Sequence, residues 1–439
     1  MISRDTIFAL SSGAPPAGVA VVRLSGPHAM DALRTLAGDL PPPRRASLRR
    51  IRKRNGDMLD DGVVLAFPAP GSFTGEDCVE FQLHGGRAVV AALLAELEGF
   101  EGLRHAEAGE FSRRAFDNGR LDLVEIEGLS DLIAAETEMQ RKLALEQSSG
   151  LLSGLYHRWS ERLTRIRALI EAELDFPDED DIPGAMSDRL WPELVALAEE
   201  MKVHLAGAGA NEILRDGFRI AIIGPPNAGK SSLLNALARR EVAIVTDVAG
   251  TTRDVLGIDL DIDGYLVHLM DTAGIRDTTD IVEQEGVKRA FRSIEEADLV
   301  LLLHMAGGDG DPGIAVPAGK TVLAVQSKAD LLDPSASRRG GILYLSSTTG
   351  EGFDSLTKRI VGIIEARISA RNDLAPARRR QAQYLSKAIA DIELIRPDLA
   401  LEIKAEYLRL AAHSLGKITG RVDVEDLLDV IFSEFCIGK

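Results

Sequence analysis

The sequence predicts a multidomain protein: an α+β N-terminal domain, a central α-helical domain, and an α/β domain inserted into the helical one. Three observations carry this. Short alternating apolar segments broken by glycine and proline fill residues 1–118, as expected of half-buried strands in a mixed fold. Runs with apolar residues three and four apart fill residues 119–215 and return over 371–439, which is helical spacing. Between them, over residues 216–370, strand-length apolar runs alternate with helical ones, the pattern of a doubly wound sheet. Helices on both sides of an α/β segment are most simply one helical domain carrying an insert.

Size and composition agree. The chain has 439 residues, room for about three domains at roughly 100–200 residues each. Its 45% hydrophobic and 27% charged content excludes a disordered tail, a collagen-like fibre and a disulfide-stapled scaffold. The two cysteines, Cys78 and Cys436, lie far apart in the sequence; one disulfide is arithmetically possible, but reduced thiols in a cytosol are the expectation. No apolar run reaches about 18 residues, so no membrane contact is expected. The first residues carry Asp5 and lack a long apolar core, so no signal peptide is expected either. A cytoplasmic location follows.

With 51 Lys+Arg against 68 Asp+Glu, the formal charge is −17, which argues against nucleic-acid contact over the whole surface. Residues 44–54, RRASLRRIRKR, are an exception, with seven basic residues and no acid. They read either as a solvated loop or edge strand, or as a phosphate-contact patch; the sequence leaves both open. The acidic group at Asp175 and residues 178–181 fits no calcium loop and reads as a solvated connection. The eight histidines show no paired ligand spacing, so no zinc site is expected.

In the α/β segment, the strand FRIAII (218–223) runs directly into GPPNAGKSS (224–232). This is GxxxxGKS, with Gly224, Gly229, Lys230 and Ser231 in register. Backbone N–H groups along Asn227, Ala228, Gly229, Lys230, Ser231 and Ser232 are expected to wrap phosphates, with Lys230 supplying a point charge and Ser231 a Mg²⁺ ligand. A second strand, LVHLM (266–270), ends in Asp271, Thr272, Ala273 and Gly274, where an acid can hold the Mg²⁺ shell and Gly274 can sense the γ-phosphate. A third, TVLAVQ (321–326), ends in Ser327, Lys328, Ala329 and Asp330; a carboxylate there can accept two N–H donors from guanine, which adenine cannot supply. A fourth, ILYLSS (342–347), ends in Ser346 and Ser347, small residues suited to a loop against the base. The switch loop is TDVAGTTRD (246–254), with Thr246, Asp247, Val248, Ala249, Gly250, Thr251 and Thr252. Four motifs in this order, each at a strand end, predict a P-loop GTPase (G) domain that binds and hydrolyses GTP.

Two departures qualify that chemistry. Most domains of this kind carry Asn where this chain has Ser327, so weakened but still guanine-selective binding is expected, because Asp330 remains. Ile275, not Gln, follows Gly274, so the common water-positioning residue is missing. Arg253 and Arg276 are candidates for an arginine finger, but neither can be assigned.

PNAGKSSLLNAL followed by TDVAGTTRD resembles the MnmE (TrmE) family of potassium-activated, tRNA-modifying GTPases. The resemblance extends to GVAVVRLSG, FTGEDCVEFQLHGG, AGEFSRRAFDNGRLDL, IEAELDFPDED and FCIGK, and so spans the chain. It implies K⁺ held by Asn227, Thr246, Val248 and Thr251, where an arginine finger reaches in other GTPases. It also implies Mg²⁺ on Ser231 and Thr252, and Glu283 as the catalytic residue that positions the attacking water. Without the resemblance, Glu283 reads as a solvated helix-face acid.

The first domain resembles the tetrahydrofolate-binding fold of the aminomethyltransferases. Strand alternation puts Val79, Phe81 and Leu83 on one face and Glu80 on the other. The resemblance implies that Glu80 pairs with the N–H donors of a pterin, with Arg23 and Arg120 as further contacts. The Lys439 carboxylate or the Cys436 thiol would touch the one-carbon carrier, a 5-formyl- or methylene-tetrahydrofolate. Read alone, Glu80 is the wet face of an edge strand and Cys436 a small buried hydrophobe. The implied activity is GTP hydrolysis that, with a flavin-containing partner (MnmG, or GidA), adds a carboxymethylaminomethyl or aminomethyl group to carbon 5 of a tRNA wobble uridine. The implied assembly is a homodimer through the first domain and a heterotetramer with that flavoprotein. The alternative is a ribosome-assembly GTPase; such relatives carry a basic RNA-binding domain after the G domain, whereas a helical segment follows here.

Overall fold

The structure, a computed structural model, describes residues 5–175, 186–225, 227–244, 257–271, 291–304, 316–332, 341–369, 375–422, 428, 431–432, 435 and 438. The chain divides into two compact units, one formed by Met1–Ser130, Ser153–Ser160 and His413–Lys439, the other by Asp131–Leu152 and Glu161–Ala412.

The first unit is built on a six-stranded sheet of β1 (Thr6–Leu10), β2 (Ala17–Ser25), β3 (Ser47–Arg52), β4 (Met58–Phe67), β5 (Cys78–Gly85) and β6 (Leu103–His105), in the order β3-β4-β5-β2-β1-β6. All neighbours are antiparallel except β1 and β6. Helices α1 (Ala29–Ala37) and α2 (Arg87–Glu98) cover one face, closing a core with Val22, Leu24, Val64, Val79, Phe81 and Leu83. Phe81 is fully buried there, so truncation to alanine costs about 3–5 kcal/mol. On the other face, α3 (Glu110–Asp117) places Phe111 against Ile7, Ala9, Ala106 and Phe73. The C-terminal segment returns to this unit: Leu428, Ile431, Phe432 and Phe435 pack with Leu123 and Ile126 of α4 (Leu123–Ala134). Ser11, just past β1, donates its hydroxyl to the Gly438 carbonyl at 2.7 Å.

The second unit holds a seven-stranded sheet of β7 (Phe218–Ile223), β8 (Val242–Ile244), β9 (Gly257–Ile262), β10 (Tyr265–Asp271), β11 (Leu299–His304), β12 (Thr321–Gln326) and β13 (Leu343–Tyr344), in the order β13-β12-β11-β7-β10-β9-β8. The five strands from β13 to β10 are parallel, while β9 and β8 are antiparallel. Central strands covered on both faces must be apolar throughout, and β7 and β11 read FRIAII and LVLLLH. Helix α9 (Lys230–Arg240) and α10 (Phe353–Ile368) pack on one face through Leu233, Leu237, Phe353, Leu356 and Ile360.

The other described helices of this unit are α5 (Glu138–Ser148), the long α6 (Leu151–Asp175), α7 (Met186–Ala206), α8 (Ala208–Asp216), α11 (Arg379–Glu393) and α12 (Leu401–Thr419), of which Ser153–Ser160 of α6 and the residues of α12 from His413 on count with the first unit. Helix α5 starts on a capping box in which Thr137 and Gln140 satisfy each other's backbone N–H. The chain segments that lead into and out of the α/β sheet are tied together. The Asp131 carboxylate takes Arg215 of α8 at 3.2 Å and Arg378, at the start of α11, at 2.7 Å. The side-chain amides of Gln147 and Asn211 both donate to the Ala375 carbonyl. One acid and one carbonyl thus hold both crossings, though they lie some 160 residues apart in sequence (375 against 211).

Candidate functional site

At the C-terminal end of β7 the backbone turns through Gly224, where an added Cβ would stand 2.7 Å from the Leu303 carbonyl. Only glycine fits that approach. Asn227 follows in the left-handed region at φ 62°, a conformation asparagine tolerates better than most residues. Gly229 at φ 87° then starts α9, leaving the first N–H groups of the helix directed at the loop. Ala228 is buried in the sheet core. The Lys230 ammonium lies on two carbonyls of this loop, Gly224 at 2.8 Å and Pro225 at 3.0 Å. Those carbonyls hold the charge beside the N-terminus of α9. Ser231 and Ser232 are exposed at the start of α9.

Next to this loop, past the end of β12, Ser327 is buried, and both its N–H and its hydroxyl donate to the His304 carbonyl, at 3.0 and 3.1 Å. The hydroxyl is therefore spent on β11, and its nearest approach to the loop is van der Waals: an added Gly229 Cβ would lie 3.9 Å from it. Lys328 takes the left-handed region at φ 54°, which turns Asp330 outward on a short 3-10 turn. Ala329 donates to the Leu345 carbonyl at 2.9 Å, and Leu345 to that of Gln326 at 2.8 Å, so the turn after β12 is clamped to the strand that precedes Ser346. The buried Ser346 hydroxyl accepts the N–H groups of Thr348 and Thr349, which folds Ser347 outward. A cleft of about 330 Å³ joins Gly229, Ser232, Ser327, Asp330 and Ser347.

The predicted residues Asn227, Ala228, Gly229, Lys230, Ser231, Ser232, Ser327, Lys328, Ala329, Asp330, Ser346 and Ser347 thus gather at adjacent strand ends. Asp271 closes β10, the neighbour of β7. Residues 246–252, 272–274 and 283 lie outside the described residues, as do Arg253, Ile275 and Arg276. Sequence reasoning missed Leu303, Val325, Leu331 and Thr348, which also line the cleft. Their signal was only positional, being one strand end or one turn away from a motif.

A second constellation lies in the first unit. Arg23 on β2 and Glu80 on β5 are cross-strand partners. One Glu80 oxygen accepts from Arg23 Nε at 3.0 Å and from Nη2 at 2.9 Å. The guanidinium also lies over the rings of Phe73 and Phe111, 5.5 and 5.8 Å from their centroids, as cations do on aromatic faces. Because β5 is an inner strand, Glu80 is not the wet face of an edge strand. Its spare oxygen keeps acceptor capacity for a ligand's N–H donors. Arg120 is exposed, its stem against Gly75, and the neighbouring Asn118 donates to the Thr74 carbonyl at 2.7 Å.

Behind this pair lies a network that the motifs did not reveal. Glu76 accepts from Ser25 at 2.7 Å and from the buried Arg114 at 3.0 Å; Arg114 also reaches Asp5 and Glu110. Burial opposes charge on Glu110, but Arg104 and Arg114 hold its carboxyl below the usual range. The Cys78 thiol is buried between the Thr74 and Ser25 hydroxyls, at 3.1 and 3.4 Å. Cys436 and Lys439 lie outside the described residues.

Residues 6–120 match the family model described as the GTP-binding protein TrmE N-terminus, and residues 123–436 that of the MnmE helical domain. The chain belongs to the MnmE family. A tRNA modification GTPase MnmE of Rhizobium meliloti is 57% identical over all of both chains. That of Agrobacterium fabrum is 56% identical over 100% of this chain and 99% of its own, and that of Brucella anthropi 51% over 99% and 98%. This MnmE-family chain has the fold class its sequence predicts: an α+β TrmE-type N-terminal domain, a helical domain and a P-loop α/β sheet. Among the described residues, no helix is long and apolar enough to cross a membrane.

Proposed function

We propose that this chain is a GTP hydrolase of tRNA modification, acting on carbon 5 of wobble uridines to add a carboxymethylaminomethyl or aminomethyl group. The observation that carries the reading is the cleft itself. Gly229 and Ser232 of the GxxxxGKS loop, Asp330 past β12 and Ser347 past β13 all line one space at the ends of parallel strands. In this reading Asn227 through Ser232 wrap the phosphates, Lys230 offsets charge on them, and Asp330 accepts two N–H bonds from guanine. Asp271 would hold the Mg²⁺ shell, Gly274 would sense the γ-phosphate, residues 246–254 would serve as the switch loop, and Glu283 would orient the attacking water.

The donor set fits the ions of the family. The exposed Ser231 hydroxyl with Thr252 would hold Mg²⁺, and the Asn227 side chain with Thr246, Val248 and Thr251 would hold K⁺. The two cations together would offset the charge that develops on the phosphates. In the first domain, Glu80 would accept from pterin N–H groups, Arg23 and Arg120 would be further folate contacts, and the Lys439 carboxylate or the Cys436 thiol would touch the one-carbon carrier. A one-carbon tetrahydrofolate would supply the carbon unit. We place the domains at 1–118, 119–215, 216–370 and 371–439. A homodimer, a heterotetramer with an MnmG-type flavoprotein and a cytoplasmic location belong to the same reading.

Nucleoside mass spectrometry of total tRNA from cells with and without the gene tests it. Loss of the carbon-5 aminomethyl-type uridines on deletion is expected. Unchanged wobble uridines beside a ribosome-subunit defect would refute it.

A further inference from the structure

The run of seven basic residues at 44–54 folds into and around β3, an edge strand of the first sheet. Its two ends are pinned. Arg54 donates to Glu96 at 2.9 Å and to the Gly99 carbonyl at 2.7 Å, and lies 4.8 Å from the Phe100 ring centroid. Arg44 donates to the Gly71 carbonyl. The middle is not neutralised in this way. Among the described residues, Arg49 and Arg52 meet only backbone carbonyls, those of Leu48 and Gly56. Arg50 faces Asp61 at 3.8 Å with both side chains more than half exposed, 73% and 56%, a pair worth about 0–1 kcal/mol. The other nearby acids are engaged elsewhere, Asp60 with His84 at 2.8 Å and Asp57 with Asn55 at 2.9 Å.

The result is a rigid strand with guanidinium groups along it, on a chain that carries −24 elsewhere (−17 less the +7 of this run). Arg50 and Arg52 are two residues apart, about 6.7 Å along a strand, and the far edge of β3 has no strand partner among the described residues. Both arginines lie on the exposed face of the strand, opposite the buried Ile51, with Arg49 on the half-buried face; paired planar guanidinium forks suit the oxygens of a phosphodiester chain better than scattered carboxylates of a protein. Such contacts position a polyanion without reading its sequence.

We propose that β3 is a tRNA-contacting edge, with Arg50 and Arg52 on backbone phosphates. The inference rests on the tRNA reading above and deepens it by naming where the nucleic acid lies.

Fluorescence anisotropy with full-length chain and bulk tRNA over a salt series tests it. For Arg50→Gln/Arg52→Gln, the slope of log K against log salt should flatten by about 1.4, at roughly 0.7 for each phosphate no longer neutralised. Affinity at about 0.1 M salt should fall tenfold or more. The single Arg50→Gln, at an exposed side chain, should flatten the slope by about 0.7 with an unchanged thermal midpoint. Arg409→Gln on α12 should change neither quantity. If wild-type chain binds tRNA and the double variant binds it with the same slope, the β3 edge is refuted alone, whatever other partner that variant loses. If wild-type chain shows no tRNA binding, this inference and the tRNA reading both fall.

Discussion

Arg23 and Glu80 face each other across β2 and β5, and a single carboxylate oxygen takes two of the guanidinium's N–H groups, at 2.9 and 3.0 Å. The pair is half-buried, with 24% and 17% of the side chains exposed, and the second Glu80 oxygen keeps acceptor capacity. Glu80→Gln leaves the shape but removes the charge that favours N–H donors. Binding of 5-formyltetrahydrofolate, followed by calorimetry, is expected to weaken tenfold or more, since a hydrogen bond to a charged group contributes about 1.5–3 kcal/mol. Unchanged affinity would remove Glu80 from the ligand site.

In the proposed GTP reading, base selectivity rests on Asp330, beside Ser327. Asp330→Asn replaces an acceptor-only carboxylate with an amide, and GTP affinity is expected to drop at least tenfold, with loss of preference over ATP in competition. Ser327→Asn restores the residue common in such domains. It gives up the bond to His304 and can reach the phosphate loop, so GTP affinity should rise several-fold. Displacement of labelled GTP measures both.

Asn227 is the one K⁺ ligand of the proposed set that the structure describes. GTP hydrolysis is expected to slow by an order of magnitude when Na⁺ replaces K⁺ at equal ionic strength. In Asn227→Ala the two salts should give the same rate while GTP still binds. A K⁺ preference that survives the substitution would move the ion elsewhere.

His204 on α7 is 3% exposed. Burial holds its imidazole down at about 4, against a weaker upward pull from Glu200. The unfolded chain takes that proton near pH 6.5, so His204 supports stability above that value and withdraws it as pH falls toward 4. The loss over this window is about 3 kcal/mol. Urea unfolding at pH 7 and pH 4.5 should show His204→Leu gaining about 2–3 kcal/mol relative to wild type on acidification. Equal pH dependence would mean that the imidazole is protonated in the fold.

Much of the nucleotide cleft is legible in the sequence because its chemistry is local. A strand that ends in GxxxxGKS must turn through Gly224 and Gly229, and the helix N-terminus follows within the same few residues. The β12 turn is legible in the same way, from Ser327 to Asp330. For the strand at 342–347 the apolar run predicts six residues, and only two form, Leu343–Tyr344, because β13 is an edge strand that pairs at two positions only. Residues 44–54 are ambiguous in sequence for a related reason: alternating arginines and apolar residues fit a loop or an edge equally, and pairing with β4 decides it.

By itself the sequence determined the fold class, the order of the nucleotide motifs and the face on which Glu80 lies, since each depends on periodicity or spacing within a dozen residues. The tertiary structure alone decided what those groups meet. It paired Glu80 with Arg23, 57 residues away, spent the Ser327 hydroxyl on His304 and brought the tail at Gly438 back to Ser11. It also pinned both ends of the basic strand while leaving its middle open. These are contacts across strands and between distant segments, set by register and burial, and no local pattern encodes them.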